Sequence, residues 1–216
     1  MPRIVCISDT HNCNELISIP DADILIHSGD ATVKGTDHEV IEFLYWFSKL
    51  PHNRKVFIAG NHDWLFQTDN RYARSLAADS GITYLQDSSV EIGGLKVYGS
   101  PWQPRFYDWA FNLNRGGELA EKWSKIPIDT DILVTHGPLH GILDQVQTRF
   151  GGSSEGCEEL RKRVEFLAAN GPLKLHVFGH IHCGYGVHEE FGVKFVNASV
   201  CDEEYRPIQP PIVIDL

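Results

Sequence analysis

The chain has no apolar run approaching the ~20 residues that a membrane-spanning helix needs. Its 216 residues carry ordinary apolar, charged and aromatic shares for a soluble globular protein. One domain over residues 1–216 is expected rather than two, because domains usually span roughly 100–200 residues. Positive charge is scarce as well: 19 Lys and Arg stand against 29 Asp and Glu, a formal net charge of −10. Binding a long nucleic acid through its phosphates needs clustered Lys and Arg to displace counterions, so that class of partner is excluded. Small phosphate esters are not excluded, since a metal centre supplies positive charge locally. Cysteine is sparse and unpaired. The five residues Cys6, Cys13, Cys157, Cys183 and Cys201 are odd in number and widely spaced, with no Cys-x-x-Cys, which excludes a disulfide framework and a thiolate zinc site. The basic, apolar and small-residue succession of a secretory signal is missing too, so a cytoplasmic location without a membrane partner is the expectation. There is no internal repeat, low-complexity tract or linker.

What the chain does contain is a regular alternation. Short runs rich in Ile, Val, Leu and Phe at 4–8, 24–27, 56–59, 132–135 and 175–178 read as buried strands. Helical segments are predicted at 37–50, with Asp37 as N-cap, and at 69–79, 118–125 and 155–169. Two hairpins are predicted, one over 90–99 turning at Gly93-Gly94 and one over 187–196 turning near Phe191-Gly192. The fold class that follows is α/β, with layers of sheet flanked by helices. The Pro-rich stretch 207–211 reads as loop or tail.

Polar residues gather just after these strands: Asp9-Thr10-His11, Gly29-Asp30, Gly60-Asn61-His62-Asp63, Thr135-His136-Gly137 and Gly179-His180-Ile181-His182. In open α/β folds ligands bind beyond the carboxyl ends of strands, where loops of neighbouring strands converge. Imidazoles, carboxylates and a carboxamide without thiolates suit a first-row divalent metal such as Mn, Fe or Zn. Alternate positions in an extended segment point the same way, so Asp9-x-His11 and His180-x-His182 could each chelate. Seven candidate ligands are too many for one four-coordinate ion and natural for two ions sharing a carboxylate.

Taken together and in this order, the five blocks resemble the signature of the calcineurin-like metallophosphoesterase superfamily: Asp-x-His, Gly-Asp, Gly-Asn-His-Asp/Glu, His, then Gly-His-x-His. Further segments, among them Gly99-Ser100-Pro101-Trp102, Trp109-Ala110-Phe111-Asn112, Gly184-Tyr185-Gly186 and Asn197-Ala198-Ser199, are similar to metallophosphoesterase-domain proteins of the MPPED type. The resemblance implies a four-layer αββα sandwich of two mixed β-sheets flanked by helices. It implies metal ligands Asp9, His11 and His182 on one ion and Asn61, His136 and His180 on the other, with Asp30 bridging and Mn, Fe, Zn, Co or Ni as candidate metals. It implies a phosphodiesterase acting on small phosphate esters, including cyclic nucleotides, through a hydroxide held between two metals. A phosphomonoesterase and a nucleotide-binding module with little turnover are the alternatives; retention of His180 counts against the latter. The run Gly29-Asp30-Ala31-Thr32-Val33 departs from that of the superfamily's protein serine/threonine phosphatases, which carry Asp and Arg after Gly-Asp.

His62 is expected to contact the phosphate and protonate the leaving alkoxide, with Asp63 holding it oriented. Asn61, His62 and Trp102 are the candidate substrate contacts, with Arg105 or Arg149 near the phosphate. Phe106, Tyr107, Trp109 and Phe111 read mainly as a core cluster under a long loop. His27 and His176 are expected as buried residues within strands, and His38, His52 and His188 as solvated.

Overall fold

The structure is a computed structural model that describes residues 2–148 and 151–216. The chain runs β1 (Arg3–Ile7), β2 (Ile24–His27), α1 (Asp37–Lys49), β3 (Lys55–Phe57), α2 (Leu65–Thr68), α3 (Asn70–Asp79), β4 (Thr83–Tyr84), β5 (Ser88–Ile92) and β6 (Leu95–Ser100). It continues through β7 (Gln103–Pro104), β8 (Asn112–Leu113), α4 (Gly117–Ser124), β9 (Ile132–Thr135), β10 (Gln145–Thr148), β11 (Gly151–Ser154) and α5 (Glu158–Asn170). The last strands are β12 (Leu175–Phe178), β13 (Gly186–Glu190), β14 (Val193–Asn197) and β15 (Ile212–Asp215).

Two large sheets result, in the orders β15-β1-β2-β3-β4 and β13-β14-β12-β9-β6-β5. Both are mixed. The interior strands pair in parallel, whereas β15 lies antiparallel on β1, and β5–β6 and β13–β14 are the two predicted hairpins. The strands' period of two sorts the core into layers. Ile4, Cys6, Ile24, Ile26 and Val56 face Val97, Ile132, Val134, Leu175 and Val177 between the sheets. The alternate residues Val5, Ile7, Leu25 and Phe57 face outward and pack on Val40, Phe43, Phe47, Ala73 and Ala77 of α1 and α3. On the far side Tyr98, Leu133, Phe178 and Phe195 pack on Leu119, Trp123, Leu160, Val164 and Leu167 of α4 and α5. Helix, sheet, sheet, helix is therefore the layer order that the resemblance implied. No helix among the described residues is long and apolar enough to cross a membrane.

Two local expectations are revised, the N-cap of α1 and the exposure of His52. The N-cap of α1 is Thr36, one residue before Asp37: its hydroxyl accepts the Glu39 amide at 3.3 Å, while Glu39 accepts the Thr36 amide at 3.0 Å. Reciprocal bonding of that kind satisfies two end groups at once, which a lone carboxylate at position 37 could not do. The Pro-rich segment is a loop, as expected, and β15 follows it and closes the edge beside β1. His52 is buried with its Nε2 2.8 Å from the Pro20 carbonyl, rather than solvated.

One contact brings the two sheets to a common edge. Ser8, just past β1, forms an isolated parallel bridge with Ser199, just past β14, and the Val200 amide donates to the Ser8 carbonyl at 2.9 Å. The loops leaving the carboxyl ends of both sheets consequently open onto one region.

Candidate metal centre

The polar residues leave the strands through sharp turns. Asp9, His11, Asp30 and His180 have φ of 54°, 40°, 54° and 68°, in the left-handed region. Non-glycine residues held there cost about 1–3 kcal/mol each, and they persist only where surrounding bonds over-determine them. Here the Asp9 amide donates to Gly29 O at 2.9 Å and the His11 amide to Asp30 O at 3.1 Å, locking the first turn onto the second. The expectation that Asp9-x-His11 and His180-x-His182 lie in extended backbone is corrected: the chain has already turned, and His182 opens a 3-10 turn, His182–Gly184. Two glycines of the blocks are required by close approach. A Cβ on Gly179 would run into the Asp9 carboxylate and the Ser8 hydroxyl, and one on Gly60 into Asp30 and the His136 ring.

Donor atoms converge in three overlapping sets, each with its atoms within 4.8 Å of one another: Asp9, His11 and His182; His11, Asp30 and His62; and Asp30, His136 and His180. His180 and His182 therefore fall in different sets, not around one ion as an extended His-x-His would place them. Asp30 belongs to two sets. Its Oδ2 lies 3.3 Å from His136 Nε2 and 3.9 Å from His11 Nε2. Asn61 Oδ1 lies 2.9 Å from His136 Nε2, on the His136 side. His182 Nε2 lies 3.4 Å from Asp9 Oδ1 and 3.3 Å from His11 Nε2. Nitrogen and oxygen donors without thiolate, largely buried and aimed at a common space, fit first-row divalent cations.

Four of the donors are oriented from behind, as metal ligands generally require. His11 Nδ1 lies 3.2 Å from Thr32 O, His136 Nδ1 3.0 Å from Ser28 O, and His182 Nδ1 2.8 Å from Asp202 O, so in all three Nε2 faces inward. Asp9 accepts the Ser199 hydroxyl at 2.8 Å and the His180 amide at 3.1 Å. Two buried strand histidines brace the loops. His27 Nδ1 accepts the Gly29 amide at 3.2 Å and its Nε2 lies 3.0 Å from Thr10 Oγ1; His176 Nε2 lies 2.8 Å from Thr135 Oγ1.

The electrostatics are those of interlocked opposite charges. Burial alone would raise Asp9 and Asp30, but the neighbouring imidazoles, His182 for Asp9 and His136 for Asp30, hold both carboxyls below their usual range. Burial lowers the imidazoles in turn, yet Asp30 lifts His136 and Asp9 lifts His182, each to about 9. Burial prevails at His11, pushed down to about 4, and at His180, down to about 3.

His62 and Asp63 do not form the pair the sequence suggested. His62 Nδ1 is held by the Val33 carbonyl at 2.7 Å. The Asp63 carboxylate instead accepts the amides of Ala31, Thr32 and Gly60 at 3.3, 3.0 and 2.8 Å and the Thr32 hydroxyl at 2.7 Å. It ties the Asp30 loop to the Asn61 loop, because buried amides of two loops need one acceptor more than His62 needs an orienting carboxylate. Burial and the charge of Asp30 push Asp63 up to about 6.

A cavity of about 510 Å³ opens over the cluster, with Asp30, Asn61, His62, His180 and His182 among its lining residues. Trp102 is not among them, which corrects its place as a substrate contact. Its Nε1 donates to Asp87 at 2.9 Å and Lys122 lies 3.9 Å over its ring, so both the N–H and one face of the indole are already engaged. The aromatics at the centre are others: Trp109 stacks on His62 at 4.1 Å, Phe106 meets His180 edge-on at 5.8 Å, and Tyr205 meets His11 at 4.6 Å. Tyr205 escaped the sequence reading because nothing around it in the Pro-rich end marks it; Ser199 lay in a segment noted only for its resemblance. Arg105 lines the cavity but its guanidinium leans on Asn114 and Asp108, and Arg149 lies outside the described residues.

Residues 2–184 match the model of the calcineurin-like phosphoesterase family. Metallophosphoesterase domain-containing protein 1 of Homo sapiens is 43% identical over 235 residues, an alignment covering 99% of this chain and 71% of that protein. UPF0046 protein K07C11.7 of Caenorhabditis elegans is 37% identical over 223 residues, covering 98% of this chain and 74% of that protein. Among solved structures, TT1561 of Thermus thermophilus superposes with a TM-score of 0.61 over 91% of this chain and 88% of that chain; at 15% identity the likeness concerns the fold. On the strength of the family match and of relatives that run nearly its whole length, the chain belongs to the calcineurin-like phosphoesterase family.

Proposed function

We propose that the protein is a metal-dependent phosphodiesterase hydrolysing small phosphate esters, nucleotides and cyclic nucleotides among them. The observation that carries this reading is the position of Asp30 Oδ2, which faces His136 at 3.3 Å and His11 at 3.9 Å. One carboxylate oxygen thereby looks into two three-residue sets, as a carboxylate shared by two ions must. Asp9, His11 and His182 would hold one divalent cation, Asn61, His136 and His180 a second, and Asp30 both. Two such cations supply a lowered water pKa, from about 16 toward neutrality, and positive charge for the phosphoryl oxygens. Manganese is the first choice, with Fe, Zn, Co and Ni compatible with the same donors.

The remaining work falls to side chains of the cavity. His62 turns its Nε2 toward Asp30, 3.9 Å away, while Val33 O fixes the opposite nitrogen, so a proton carried at Nε2 is presented to the leaving oxygen. Stacking on Trp109 keeps the ring from rotating away. Asp63 sets the spacing of the Asp30 and Asn61 loops and acts on the reaction only through them.

Purified protein supplied with Mn is expected to hydrolyse bis(p-nitrophenyl) phosphate and to lose that activity to a chelator. Hydrolysis of p-nitrophenyl phosphate alone would replace the reading by a phosphomonoesterase. Tight binding of a nucleoside monophosphate without turnover of any ester would replace it by a nucleotide-binding module.

A further inference from the structure

Beyond the family-matched residues 2–184 the chain returns to the site. Residues 202–206 form a tight loop organised by Asp202, whose Oδ1 accepts the amides of Glu204 and Arg206 at 3.1 and 2.9 Å and whose Oδ2 accepts Arg206 Nε at 2.7 Å. The same residue's carbonyl orients His182, so one short loop places both an imidazole of the centre and the residue at its own tip. That residue is Tyr205, held at φ 60°, a conformation an aromatic residue rarely adopts.

The Tyr205 ring lies edge-on to three imidazoles at once: His11 at 4.6 Å, His182 at 5.5 Å and His62 at 6.2 Å. It is nonetheless 47% exposed, and the exposed part lines the cavity. Phe106 lines the cavity as well, beside His180, and is 48% exposed. Large aromatic surfaces left open next to a buried polar cluster offer stacking area for a planar group.

We infer that Tyr205 is a specificity-determining residue, whose ring stacks on the planar group of an ester such as a nucleoside or aryl phosphate while its phosphate sits over the histidine and carboxylate cluster. This rests on the reading of the cluster as a phosphate-binding metal centre; it adds the part of the ligand that the metals would not select. A strained backbone pinned by Asp202 fixes the ring in advance, so little freedom is lost on binding.

Titration calorimetry of the Mn-loaded protein with 5′-AMP and with ribose 5-phosphate tests this, in the wild type, Tyr205→Phe and Tyr205→Leu. Tyr205→Leu is expected to weaken 5′-AMP by about 5- to 100-fold and ribose 5-phosphate by less than about twofold, with metal content unchanged, and Tyr205→Phe to keep wild-type affinity for both. Equal weakening of the two ligands, or no effect on 5′-AMP, overturns the inference. Wild-type protein that turns over no ester yet binds 5′-AMP through Tyr205 would sink the hydrolase reading alone; diester turnover with 5′-AMP binding indifferent to Tyr205→Leu would sink this one alone.

Discussion

Asp30 faces His62 at both ends of that residue: Oδ1 accepts the His62 amide at 2.7 Å, and Oδ2 lies 3.9 Å from the ring Nε2. The carboxylate proposed to be shared by the metals is thus also the anchor of the proposed proton donor. Asp30→Asn preserves an acceptor for the amide but removes the charge. It is expected to fold and to lose metal and diester turnover together. Full metal content by elemental analysis in this variant would remove Asp30 from the ligand set.

His62→Ala removes the proposed proton donor and leaves all seven proposed metal ligands in place. Turnover is expected to fall ~10²- to 10⁴-fold with metals retained, and to fall further for an alkyl leaving group than for p-nitrophenolate, which needs less protonation. A loss independent of the leaving group would argue that His62 positions substrate rather than donating a proton.

Asp63→Ala leaves the amides of Ala31, Thr32 and Gly60 without their acceptor in a buried place. Each orphaned group costs ~1–3 kcal/mol, so thermal unfolding is expected to drop markedly, with metal affinity following because the Asp30 and Asn61 loops separate. Asp63→Asn restores part of the acceptance. An unfolding temperature equal to wild type in Asp63→Ala would refute the bracing role.

His176 is buried, its Nδ1 has no hydrogen-bond partner among the described residues, and burial pushes its pKa down to about 3. Above the ordinary value near 6.5 neither folded nor unfolded chain binds the proton. As pH falls from about 6.5 toward 3, only the unfolded chain binds it, so stability is lost by up to roughly 1.4 kcal/mol per pH unit from this group. Unfolding followed between pH 7 and 4.5 should therefore show a shallower acid-side loss in His176→Gln than in wild type; parallel curves would contradict the assignment.

Trp102→Phe gives up the bond to Asp87 and much of the contact with Lys122. A loss of about 1–2 kcal/mol in stability is expected from those two interactions, with KM for an aryl diester unchanged. A raised KM at unaltered stability would return the indole to the substrate.

The alternation of strands and helices was legible in the sequence because it rests on local signals: runs such as Ile24–His27 and Leu175–Phe178 alternate with amphipathic segments, and five strands carry a polar block at their ends, whereas the four-layer order came from the resemblance. The candidate donors were legible for the same reason. Asp9, His11, Asp30, Asn61, His136, His180 and His182 stand in short motifs whose order survives without coordinates. The partner of His62, the engagement of Trp102 and the presence of Tyr205 in the cavity were not legible. Each depends on contacts between segments far apart in the chain, His62 with Val33, Trp102 with Asp87 and Lys122, Tyr205 with His11 and His182.

By itself, then, the sequence determined the strands, the polar blocks at their ends and the family to which those blocks belong, since hydrophobic periodicity and short motifs are properties of neighbouring residues. Only the tertiary structure decided which donors share a space and which groups stand behind them. The Ser8–Ser199 bridge joins the carboxyl edges of two sheets, and the left-handed turns at Asp9, Asp30 and His180 swing the side chains inward. Neither the joining of two sheets nor a turn stabilised by a distant carbonyl leaves a mark on the residues adjacent in the chain.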